Sequence, residues 1–193
     1  QVVGGILAVA AGLLYVQQES LLYFPAMGNV PRYNAQNPRG YRHPGERGMD
    51  YSSHIITSAE DGVQIHAWFI PHPSTATTKA KIPTVLFFHG NAGNIGFRIP
   101  NAMELLKYVP MHILLVEYRG YGDSPGENVR PSEVGLQRDA VAAWEYCRTE
   151  LATKQYPDIV SADHILVFGR SLGGAVAFQL AAYAEAKGAP LQG

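Results

Sequence analysis

Polar and apolar positions change rhythm along this chain, and the changes divide it. Residues 2–16, VVGGILAVAAGLLYV, carry no charge and have no polar face. From Gln17 to Asp50 the pattern breaks up, because Pro25, Pro31, Pro38 and Pro44, with Gly28, Gly40, Gly45 and Gly48, rule out regular elements. That stretch predicts a lead-in crossing the surface, with Leu21, Leu22, Tyr23 and Phe24 packed on the domain or at a membrane interface. Two strand-like runs follow, Ser53 to Thr57 and Val63 to Ile70, around Glu60-Asp61-Gly62, whose Asp-Gly pair signals a hairpin. Pro71 to Lys81 reads as a polar loop.

Three later runs are continuous rather than alternating: Thr84 to Phe88, Ile113 to Val116 and Ile165 to Phe168. Unbroken apolar strands are buried on both faces, as in a parallel sheet between helix layers. Helices are predicted between them, over Ile99 to Val109 and Ser132 to Leu151, with Ser132 as N-cap and Glu133 favoured in the first turn by the helix dipole. Strand and helix in alternation predict an α/β fold with a doubly wound, mostly parallel sheet. No internal repeat is visible.

The third run stops at Gly169-Arg170-Ser171-Leu172-Gly173, and a stretch rich in alanine follows to Lys187. Strand, sharp G-x-S-x-G turn, then helix is the context of a nucleophile elbow. In it Ser171 is the candidate nucleophile, and side chains at Gly169 or Gly173 would collide with the neighbouring strand and helix. A serine that attacks a carbonyl needs donors for the developing oxyanion, usually its neighbour's N–H and one from the loop after an earlier strand. Leu172 supplies the first by position; Asn91, in His89-Gly90-Asn91-Ala92-Gly93-Asn94, is the choice for the second because the preceding glycine lets the backbone come close. His89 reads as a brace for that loop rather than a base, and Asp123, in Asp-Ser-Pro-Gly, as a turn residue before an acid.

Length and composition narrow the rest. With 193 residues, 47% of them hydrophobic, the chain suits a single core. A formal charge of −1 leaves no basic field for nucleic acid. The single cysteine, Cys147, falls on the apolar stripe Leu136, Ala140, Trp144, Cys147, Leu151 and reads as a buried helix residue. No Cys/His cluster has zinc-ligand spacing and no phosphate-binding G-x-x-x-x-G-K occurs, so neither metal nor cofactor is expected.

HGNAGNIG, EYRGYGDSPG with PSEVGLQRDA, and GRSLGGAV together resemble the α/β-hydrolase superfamily, in particular the membrane-anchored group typified by alpha/beta-hydrolase domain-containing protein 13. The resemblance runs from about Ser20 to the last residue. It implies a serine hydrolase acting on ester, thioester or lipid-like acyl substrates, with Ser171 as nucleophile and Asn91 and Leu172 at the oxyanion positions; related enzymes include aminopeptidases. It also implies an N-terminal membrane anchor over residues 1–16, a juxtamembrane lead-in over 17–50 and a partial hydrolase domain over 51–193, on a membrane of the endomembrane system. The residues leave three readings of 2–16: an anchor, although the run is shorter than the roughly 20 residues a spanning helix needs; a signal-peptide core with Ala8-Val9-Ala10 as cleavage site; or a buried core helix. Orientation is not legible, because no Lys or Arg precedes Arg32.

One departure is large. In α/β hydrolases the triad acid and histidine follow the serine in chain order, yet all seven histidines here precede Ser171 and the only acidic residue after it is Glu185. The chain is therefore expected to be a fragment, lacking the last strands and both triad partners, with negligible hydrolysis and an exposed sheet edge if it stands alone. A catalytically inactive, hydrolase-like binding module is the competing reading.

Overall fold

The computed structural model describes residues 12–15, 17–126 and 128–191. Its centre is a five-stranded sheet of β1 (Ser52–Thr57), β2 (Gln64–Ile70), β3 (Ile82–Phe88), β4 (His112–Val116) and β5 (Val160–Gly169), in the order β1-β2-β4-β3-β5. β1 and β2 form the hairpin predicted around Asp61-Gly62, pairing from Ser52↔Phe69 to Thr57↔Gln64, and Gly62 takes φ 70° in the connection. β2 runs antiparallel to β4, while β3 lies parallel to both β4 and β5. Three helices complete the frame: α1 (Ile99–Tyr108), α2 (Glu133–Tyr146) and α3 (Leu172–Ala186).

The two-residue period of the strands sorts their side chains between two cores. Leu86, Phe88, Leu114 and Val116 face Leu136, Trp144, Val176 and Leu180 of α2 and α3. Val85, Phe87, Ile113 and Leu115 face Ile99, Ala102 and Leu106 of α1. β4 is buried at every position, as its unbroken apolar run predicts. Each large side chain withdrawn in this way contributes on the order of 1.5–3 kcal/mol. α2 starts where Ser132 caps it, its side chain accepting the Gly135 N–H. Cys147 lies wholly in the core, and burial raises its thiol to about 12, so it stays a protonated packing residue.

Several boundaries differ from the expectation. The lead-in is not devoid of regular turns: Asn34–Gln36 and Pro44–Arg47 are short 3-10 helices, the second begun by a proline whose missing N–H costs nothing there. A helical turn, Thr75–Thr78, interrupts the predicted loop after β2. The helix predicted to run to Leu151 passes from α2 into a π-helical stretch, Cys147–Gln155. β5 begins at Val160, well before Ile165, and is only partly buried, because on the side away from β3 no described strand pairs with it. The predicted anchor falls largely outside the described residues; 12–15 and 17–22 are helical, and among the described residues no helix is long and apolar enough to cross a membrane.

Candidate active site

β3, β4 and β5 end on the same edge of the sheet, and three loops meet there. After β5 the chain turns sharply through Arg170 and Ser171 into α3. The turn is held by Arg170 N–H to Phe88 O (3.2 Å), Gly173 N–H to Arg170 O (3.0 Å) and Gly174 N–H to Ser171 O (2.8 Å). Ser171 adopts φ 54° and ψ −118°, outside the regions open to most L-residues, and its side chain is exposed. Both flanking glycines are required by space. A Cβ on Gly169 would stand 2.0 Å from Gly173 O, and one on Gly173 would stand 2.1 Å from Phe88 O. The serine hydroxyl therefore stands at the tip of the strand, and the Leu172 N–H opens the helix beside it.

The loop after β3 lies against this turn. A Cβ added to Gly90 would be 3.5 Å from Arg170 O and 3.8 Å from the Ser171 Cβ, ordinary contact distances that place the two loops side by side. Asn91 follows, but its side chain faces the other way. Its Oδ1 accepts from Tyr121 Oη (2.7 Å) and from Phe24 N–H (3.1 Å), and its Nδ2 donates to Leu22 O. What Asn91 can offer a ligand is its backbone N–H. Further along, Asn94 caps the short 3-10 helix Ile95–Arg98 by accepting from Gly96 N–H (3.0 Å).

The two residues weighed as acid or base are held elsewhere. His89 is fully buried, with Nδ1 2.7 Å from Gly90 O and Nε2 2.9 Å from Glu117 Oε1. Asp123 accepts from Asn34 through its N–H (3.2 Å) and its Nδ2 (2.9 Å), a link between the lead-in and the loop after β4. Tyr118 donates its hydroxyl to His89 O (2.8 Å); burial above all, then Glu117 beside it, holds that phenol well above its usual range. Glu117 is the buried residue at this edge that sequence reasoning missed. The available signal was positional: His89 and Glu117 each directly follow a buried strand end, and they become neighbours once Phe88 pairs with Val116.

The strand order, parallel centre and strained serine turn are those of an α/β-hydrolase fold, and the chain is similar to proteins of that superfamily. Over 174 residues it is 34% identical to Protein bem46 of Schizosaccharomyces pombe, covering 90% of this chain and 52% of that protein. It is 35% identical to alpha/beta hydrolase domain-containing protein WAV2 of Arabidopsis thaliana over 175 residues, covering 90% of this chain and 49% of the relative. The chain thus spans about half the length of these curated relatives. Among solved structures, an alpha-beta hydrolase from Vibrio vulnificus matches with TM-score 0.55 and 26% identity, over 76% of this chain and 44% of that one. The Pyrococcus furiosus esterase PF2001 matches in fold with TM-score 0.56 and 23% identity, over 80% and 52%. No family model matches the chain.

Proposed function

We propose that this sequence is the N-terminal part of a serine hydrolase that cleaves ester, thioester or lipid-like acyl substrates through an acyl-enzyme. The observation that carries the reading is Ser171 at φ 54° on the tip of β5, beside the Gly90-Asn91 turn. In this reading the Ser171 hydroxyl attacks the substrate carbonyl carbon and the oxygen takes up negative charge. The N–H groups of Leu172 and Asn91 receive that charge, and among the described residues neither donates to a backbone carbonyl. The tetrahedral adduct collapses with loss of the alcohol or thiol, and water then releases the acid. Esterases among the structural neighbours support small ester substrates for the first trials.

A hydroxyl at neutral pH needs a base to take its proton. No histidine follows Ser171 in these 193 residues, so the reading places the triad acid and histidine in the full-length protein outside this sequence. That same feature favours a second reading, a hydrolase-like binding module without turnover. A fluorophosphonate probe separates them: the full-length protein is expected to label and Ser171→Ala is not. Equal labelling of both, or of neither, would remove Ser171 as an activated nucleophile.

We also propose that residues 1–16 attach the protein to a membrane. The exposed Leu13, Leu14 and Tyr15 at its end, and Leu21 and Leu22 on the helical residues after it, support this. Carbonate extraction of membranes is expected to leave the protein in the pellet; release into the supernatant would exclude a spanning anchor.

A further inference from the structure

Because β3 and β4 are parallel with Phe88 opposite Val116, the next residue of each strand, His89 and Glu117, meets the other at the sheet edge. Both side chains are completely buried, and the ring nitrogen Nε2 lies 2.9 Å from Glu117 Oε1. The contact is close rather than well angled, since neither atom has an aligned hydrogen-bond partner. At that separation, with both groups buried, the carboxylate sits in direct contact with the edge of the ring. The carboxylate is fixed from its other side as well. Glu117 Oε2 accepts the Ile95 N–H at 3.0 Å, and a Cβ on Gly122 would stand only 1.8 Å from it.

The other ring nitrogen points at the loop after β3. His89 Nδ1 is 2.7 Å from Gly90 O, and a carbonyl can only accept, so Nδ1 carries a proton and donates it. That carbonyl belongs to the same peptide group as the Asn91 N–H. No cis peptide occurs among the described residues, and in a trans peptide C=O and N–H point in opposite directions. Drawing the carbonyl inward to His89 turns the N–H outward, and the Gly90 it adjoins lies against Ser171.

We infer that His89 and Glu117 are positioning residues for the oxyanion donor. Glu117 holds the ring, the ring holds the Gly90 carbonyl, and the Asn91 N–H is thereby set in place before substrate arrives. This rests on the hydrolase reading above. It adds that the loop's aim is fixed by a buried pair which touches no substrate.

The test uses the full-length protein, with p-nitrophenyl butyrate turnover expressed per mole of folded protein. His89→Leu and Glu117→Met are expected to lower kcat by about 10- to 100-fold, with KM changed by less than about threefold, as expected for a donor felt in the transition state. Glu117→Gln, whose amide can face both the ring and the Ile95 N–H, is expected to recover about tenfold over Glu117→Met. Turnover by Ser171→Ala equal to wild type would sink the hydrolase reading itself. An inactive Ser171→Ala alongside wild-type kcat in His89→Leu and Glu117→Met, or equal kcat in the Gln and Met variants, would overturn this inference alone. Should the variants fail to fold, a 15N-histidine spectrum of the wild type decides: a His89 Nδ1–H protected from solvent supports the arrangement, and an unprotonated Nδ1 refutes it.

Discussion

Ser171 holds a backbone conformation that costs a residue with a side chain on the order of 1–3 kcal/mol. The glycines on either side make that conformation possible and give it a sharp test. In Gly173→Ala the new methyl would meet Phe88 O at 2.1 Å, backbone against backbone, with no flexible atom to yield. A loss of at least about 3 kcal/mol is expected in urea denaturation. Gly174→Ala, one residue further along α3, is the control. Its nearest neighbour would be 3.8 Å away, and an alanine inside a helix should add about 0.5–1 kcal/mol. Equal effects at the two positions would mean that the turn is looser than described. Residue by residue, the elbow was legible because its constraint is local: small, serine, small, between an apolar strand and a helix. Glu117 was not legible, because its partner His89 lies 28 positions earlier and the two meet only through a parallel register that no local pattern encodes.

At the scale of elements, the same distinction separates helices from the lead-in. Ser132 and Glu133 marked the start of α2 correctly, since a cap is a contact within one turn. The π-helical stretch after it leaves no such mark. The lead-in read as a surface crossing, yet it is tied to the loop after β3 by asparagine amides that do the work of a strand ladder. Asn94 Nδ2 donates to Arg32 O (3.0 Å) and Asn37 Oδ1 (3.0 Å), and Asn37 Nδ2 donates back to Asn94 Oδ1 (2.8 Å). Gly96 completes the seam: its N–H donates to Asn34 Oδ1 (3.1 Å), and a Cβ there would stand 2.1 Å from Tyr41 O. These partners lie about sixty residues apart, so composition alone reports only polar, proline-rich chain. Asn94→Ala would leave several buried groups unpaired, and a loss of about 2–4 kcal/mol is expected by chemical denaturation. Asn91→Ala removes the clamp on Leu22 and Phe24 together with the acceptor of the Tyr121 hydroxyl, and keeps the backbone N–H. Limited proteolysis should then cut near residues 20–26 faster than in the wild type; an unchanged cleavage pattern would show that the clamp does not hold that segment.

Across the whole molecule, the sheet has two edge strands, β1 and β5. β1 ends it at the hairpin, whereas β5 leaves Phe168 41% exposed and Phe178 of α3 81% exposed, in a chain that spans about half of its relatives. Stability must therefore come from the interior of the sheet, and three histidines buried on β1, β2 and β4 make it depend on pH. His112, at the start of β4, accepts the His72 N–H at Nδ1 (3.1 Å) and donates from Nε2 to Ile159 O (3.1 Å), so it joins β4 to the segments entering from both sides. Burial above all holds it down to about 4, with nearby His72 acting in the same sense and the Ile159 carbonyl against it. His54 and His66 are also lowered, burial being the main cause in each. The folded pKa of His112 thus lies below its unfolded value of about 6.5, so the unfolded chain binds more protons between those limits. Stability is complete above about pH 6.5 and falls as the pH drops toward 4, with a slope of up to about 1.4 kcal/mol per pH unit for each such histidine. Asp61 titrates lower still, held well below the carboxylate range chiefly by its hydrogen bond from Arg119, so its loss is not mixed into this window. Unfolding free energies measured from pH 7.5 to 4.5 are expected to show the decline. In His112→Asn, where the amide oxygen can accept the His72 N–H in place of Nδ1 without titrating, the slope should fall by about one proton's share. An unchanged slope in that variant would mean that His112 keeps its proton in the folded protein, and that the Nδ1 contact with His72 does not exist in solution.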